Sequence, residues 1–61
     1  MTKQDMTVRG VTRTVYFEKQ VDKKTWRARI YVGSTVVSGF VKENRLGVLR
    51  FTPIGVNADL V

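Results

Sequence analysis

The chain has neither cysteine nor histidine. Without cysteine there is no disulfide to staple a small fold, and without both residues no structural zinc site of the usual kind can form. The same absences remove the commonest nucleophiles and general bases. The five carboxylates are scattered, and no serine or lysine has an obvious base beside it in the chain. No catalytic residue, metal ligand or cofactor is therefore assigned, and the protein is expected not to be an enzyme. No apolar run approaches the roughly 18 residues needed to cross a bilayer, and the first residues lack an apolar signal-peptide core. A soluble, cytoplasmic protein with no membrane partner is the expectation.

Acidic residues are also few. Eleven Lys and Arg face Asp5, Glu18, Asp22, Glu43 and Asp59, for a formal charge of +6, and no acid lies between Lys23 and Lys42. Such a balance attracts polyanions, nucleic acid being the commonest, although charge of one sign also serves plain solubility. The chain is short as well. Sixty-one residues make a single domain, and a chain of that size buries only about 60% of the surface its unfolded form exposes. With disulfide and metal excluded, oligomerisation is the remaining source of stability, and a homodimer is expected.

What the sequence does contain is β-strand. Trp26, Ala28, Ile30 and Val32 alternate with Thr25, Arg27, Arg29 and Tyr31, the period of two that gives a strand one apolar and one polar face. Gly33-Ser34 follows as a two-residue hairpin with Gly in the first position, as a type II′ turn requires. Counting through that turn sets Val32, Ile30, Ala28 and Trp26 opposite Thr35, Val37, Gly39 and Val41. Tyr31, Arg29 and Arg27 then meet Val36, Ser38 and Phe40 on the other face.

Upstream, Met6 to Gln20 reads as one long strand with a phase slip at Gly10, where a bulge or sharp bend is the usual cause. Val21 to Lys24 is a turn. If Gln20 lies opposite Thr25, Phe17 faces Ala28 and Val15 faces Ile30, while Glu18 faces Arg27, Tyr16 faces Arg29 and Thr14 faces Tyr31. Downstream, Glu43 to Gly47 is a loop, and a length of three or five residues puts Leu49 and Phe51 inside and Arg50 outside. Pro53 ends the last strand. Residues 1–5 and 57–61 read as flexible ends of the one domain, 1–61, with Val56 to Val61 too short to stand as a helix.

The result is an all-β, four-stranded antiparallel meander. Its inner face carries Val15, Phe17, Trp26, Ile30, Val32, Val37, Val41, Leu49 and Phe51, and no amphipathic helix is at hand to cover it. Two solutions stand: the sheet curls at Gly10 and Gly39 into a small SH3- or OB-like barrel, or two copies pack as a two-sheet dimer.

The outer face gathers Tyr16, Arg27, Arg29, Tyr31, Phe40 and Arg50, with Arg13 and Lys19 near its edge and Lys23 and Lys24 at one end. Aromatic rings among cations suit single strands, whose bases stack and whose phosphates pair with arginine, and the same surface fits a duplex groove. The expected function is therefore nucleic-acid binding, DNA or RNA. The alternative is a small homo-oligomeric protein that binds and modulates a protein partner, since Tyr, Phe and Arg are also enriched at protein interfaces. The run Trp26-Arg27-Ala28-Arg29-Ile30 with its hairpin and Phe40 is similar to the three-stranded sheets that AP2-type and integrase amino-terminal domains lay in a DNA major groove. That resemblance covers about a quarter of the chain and adds weight to Arg27 and Arg29. Those domains continue into a packing helix, whereas the sequence after Phe40 goes on as loop and strand.

Overall fold

A computed structural model describes residues 2–61. It is all β: β1 (Lys3–Val8), β2 (Val11–Asp22), β3 (Thr25–Val32), β4 (Thr35–Glu43) and β5 (Leu49–Pro53), followed by a 3-10 turn over Val56–Leu60. The strands pair antiparallel in chain order, and the sheet curls into a half-barrel that brings β1 close to β5. Among the described residues no helix is long and apolar enough to cross a membrane.

Five strands stand where the sequence reading places four. The phase slip at Gly10 is a complete reversal, not a bend within one strand. Arg9 and Gly10 both take positive φ, 50° and 83°, which is the signature of a type I′ turn, and Val8 pairs with Val11 across it. Residues 3–5, read from the sequence as part of an end, pair in β1 with Tyr16, Val15 and Thr14. Met1 lies outside the described residues. At the other end, the 3-10 turn is held by Ala58 N–H donating to the Gly55 carbonyl, and Val61 packs against the core.

The β3–β4 hairpin has the register counted from Gly33-Ser34 at every position, from Val32 opposite Thr35 to Thr25 opposite Lys42. Gly33 has φ 62° and Ser34 is not left-handed, which fits a type II′ turn. The β4–β5 loop has five residues, Asn44 to Val48, so Phe51 faces inward opposite Val41 and Arg50 outward opposite Lys42. The Asn44 side chain builds this loop: its Oδ1 accepts from Leu46 N at 2.8 Å and from Val48 N at 3.0 Å.

The core is the concave side of the sheet. Val15, Ile30, Val37 and Val41 are fully buried, flanked by Met6, Val8, Phe17, Ala28 and Phe51, with Trp26, Val32 and Leu49 half-buried against them. Each fully buried aliphatic contributes about 1.5–3 kcal/mol relative to exposure. Phe17 and Trp26 meet edge to face at 5.9 Å. Gly39 lies opposite Pro53, where β5 approaches β4 closely. A Cβ there would overlap the Thr52 carbonyl oxygen and approach the Phe51 ring to 2.6 Å, so the ring that requires this glycine is Phe51, not the neighbouring Trp26.

Candidate nucleic-acid interface

The convex face takes its side chains from every second residue of each strand, and pairing arranges them in rows across the sheet. Lys19, Arg27, Phe40 and Thr52 form one row; beyond it toward the β2–β3 turn lie Asp22, Thr25, Lys42 and Arg50. On the other side of the Lys19 row come Lys3, Tyr16, Arg29 and Ser38, then Tyr31 opposite Val36. Tyr16, Arg27, Arg29, Tyr31, Phe40 and Arg50 therefore share one surface, as counted from the sequence. Lys23 and Lys24 form the exposed β2–β3 turn at its end.

Arg13 is placed differently from its sequence expectation. It pairs with Met6 and has the parity of Val15 and Phe17, so it belongs to the concave side, away from the cationic face. It is half-buried, and its Nε is a buried donor without a partner among the described residues.

The contacts within the face fall into two groups. One is centred on Arg29. Tyr16 pairs with Arg29 and Phe17 with Ala28, as expected, but a bulge at Glu18 then shifts the register so that Lys19, not Glu18, lies opposite Arg27. The freed Glu18 carboxylate reaches Arg29 instead, with Oε2 2.7 Å from Nη1. Arg29 Nε also donates to Tyr31 Oη at 3.2 Å. The Tyr16 and Tyr31 rings stand edge to face at 5.7 Å, with the guanidinium 5.7 Å and 6.0 Å from their centroids. The hydrogen bond to Tyr31, then that to Glu18, raises the Arg29 pKa further above its ordinary value, so this group stays charged at any accessible pH.

The second group is the Lys19 end. Arg27 lies over the half-buried Phe40 ring at 5.8 Å, a cross-strand contact that leaves its charge exposed. Lys19, Lys23, Lys24, Lys42 and Arg50 are all exposed. Among the described residues Arg29 is the one Lys or Arg paired with an Asp or Glu side chain, and Arg9, away from this end, donates to the Val61 oxygen at 2.7 Å. Asp22 is the one carboxylate in these rows, and its Oδ1 accepts from Lys23 N at 2.7 Å. Lys19 reaches this face only through the bulge. Lys42 was missed by sequence reasoning, although counting two residues past Phe40 along the same strand would have found it.

The two aromatic groups are thus already packed: each ring has an arginine against it. The free capacity of the face is cationic, in two adjacent rows: neighbours within a row sit on strands about 4.8 Å apart, and the rows are two residues, about 6.7 Å, apart along the strands. No group of three or more potential metal-binding side chains occurs among the described residues. Comparison with protein-family models, curated proteins and solved structures yields no match to this chain.

Proposed function

We propose that this protein binds nucleic acid through its convex sheet face and does so without chemistry. The observation that carries the reading is the row pair Lys19–Arg27–Phe40 and Lys42–Arg50, with Lys23 and Lys24 at its end: exposed cations with no ion-pair partner among the described residues, on a chain of charge +6. Side chains of that type take phosphate oxygens, and charge of that sign steers a polyanion to them. Lysine and arginine make up most of the exposed polar side chains in these two rows, and their contacts to phosphate supply affinity and register on the backbone. In this reading the chain works in the cytoplasm as a homodimer, its half-barrels either closed singly in SH3- or OB-like fashion or packed as a two-sheet pair.

The test is titration of labelled duplex and single-stranded oligonucleotides at several salt concentrations. Four phosphates held by Lys19, Arg27, Lys42 and Arg50 give a slope of log K against log salt near −3.6 on duplex and about −2.8 on single strands. Changing Arg27→Ala with Arg50→Ala reduces the duplex slope by about 1.8. Failure to bind even at low salt refutes the proposal. A second reading, a small oligomer that binds and modulates a protein, is favoured by one feature: Val36, Ile54 and Val56 are exposed apolar side chains lining a groove that no lysine or arginine lines, beside Asn57, whose side chain donates to the Val36 carbonyl. Under that reading the arginine changes leave polyanion binding untouched.

A further inference from the structure

Arg29 is the cation at the centre of the convex face, and among the described residues it is the one on that face paired with a carboxylate side chain. The way it is paired is unusual. A regular β2–β3 ladder would carry Glu18 opposite Arg27; a bulge at that residue instead delivers its carboxylate to Arg29. The contact is to a single nitrogen, Nη1, and both side chains remain more than a third exposed, 36% and 37%. It lacks the two-pronged geometry that makes an arginine–carboxylate pair strong, and exposed pairs of this kind are readily exchanged.

The surroundings are those of an anion site. Thr2, Lys3, Tyr16, Phe17, Glu18 and Arg29 line a cleft of about 500 Å³. Lys3, opposite Tyr16 at the exposed edge of β1, has no ion-pair partner among the described residues, so Lys3 and Arg29 face the cleft from either side of the Tyr16 ring. Tyr31 fixes the guanidinium through Nε, and the two tyrosine rings hold its plane. Arg29 is thereby pre-positioned, and the only negative group on it is a displaceable carboxylate.

We propose that this cleft is a second phosphate subsite, built from Arg29 and Lys3, and that Glu18 occupies it as an internal stand-in for phosphate which the ligand must displace. The proposal rests on the reading of the face as a nucleic-acid interface and says how one part of it is gated. Wild-type protein then holds phosphates mainly at the Lys19–Arg50 end. Arg29 adds nothing to the salt dependence, because each phosphate it gains frees a carboxylate to recruit a cation. Either an internal phosphodiester or a terminal phosphate carries the required chemistry.

The experiment is a fluorescence-anisotropy titration of the whole chain, between 50 and 200 mM salt, with oligonucleotides carrying or lacking a terminal phosphate. The proteins are wild type, Glu18→Gln, Arg29→Ala and the double variant, each checked for an unchanged far-ultraviolet dichroism spectrum. Glu18→Gln is expected to tighten binding and to steepen the duplex slope by about 0.9, so that its advantage over wild type shrinks about 3.5-fold across that salt range. Arg29→Ala alone leaves the slope unchanged, and in the Glu18→Gln background it abolishes the gain. Lys3→Ala, at the exposed edge strand, serves as the independent variant and diminishes the same gain. If the gain depends on the terminal phosphate, the monoester is the ligand; if not, the diester is. An equal gain with and without Arg29 means simple removal of a repelling charge and overturns the subsite. Wild-type binding with no change in Glu18→Gln overturns it too, while leaving the general reading intact. Absence of binding by every protein overturns both.

Discussion

Replacing Gly39 by alanine tests whether the close approach of β4 and β5 shapes this sheet. The perturbation is one methyl group on a buried strand, ordinarily a small change. Here the added Cβ would overlap the Thr52 carbonyl oxygen and stand 2.6 Å and 2.8 Å from two Phe51 ring carbons. The ring can swing; the carbonyl belongs to the β5 backbone and moves only if the strand does. Overpacking of that kind costs about 1–3 kcal/mol, and the backbone contact places Gly39→Ala at the upper end, about 2–3 kcal/mol. Against a total of roughly 3–9 kcal/mol for a chain of this length, that is a large share. At about 4–8 °C per kcal/mol, the melting temperature falls by about 10–20 °C. Thermal and urea unfolding followed by circular dichroism measure it. Repeating the change in a Phe51→Leu background separates the two contacts: most of the cost persists if the Thr52 carbonyl is the obstacle and vanishes if the ring is. A Gly39→Ala protein melting within about 2 °C of wild type refutes the reasoning, since relaxation of that ease is incompatible with a glycine required by a close backbone approach.

The turns supply two further expectations. Arg9→Asn places an Asn-Gly pair in the type I′ turn whose first residue now holds arginine at φ 50°, and it raises stability by about 0.5–1 kcal/mol in urea unfolding, net of the exposed 2.7 Å bond from Arg9 to the Val61 carbonyl. Asn44→Ala removes the acceptor of two backbone amides, Leu46 and Val48, and lowers stability by about 1–2 kcal/mol, with amide exchange accelerating first at those two positions.

How much of this architecture could be read from the residues depends on how each turn is marked. Gly33-Ser34 carries the chemistry of its turn type openly, and the eight pairs of the β3–β4 hairpin follow from it by counting. For the Asn44 to Val48 loop, the need to keep Arg50 out of the core leaves lengths of three or five, and the structure has five. Arg9-Gly10 is harder to read, because arginine seldom takes a left-handed φ, so nothing in the residues separates this reversal from a bend within one strand. The bulges on β2 have no mark at all: neither Gly nor Pro sits at Glu18 or Val21, and bulges need neither. The first of them, at Glu18, changes the partner of Glu18 from Arg27 to Arg29 and brings Lys19 onto the face. Arg13 and Lys42 are different, for simple alternation from Val15 and from Phe40 assigns both to the faces where they lie.

The strand order, identical to the chain order, bears on how the molecule forms. Each strand pairs only with its sequence neighbour, through connections of two, two, two and five residues, so every step closes a short loop at little entropic cost. Most all-β domains are slow because they must join distant segments before any contact repays them. This chain can zip hairpin by hairpin from Gly33-Ser34 outward, and only the final approach of β1 to β5 draws on the whole length. A sheet assembled this way exposes its unpaired edges briefly, a useful property for a 61-residue β protein with no disulfide to hold a half-made fold.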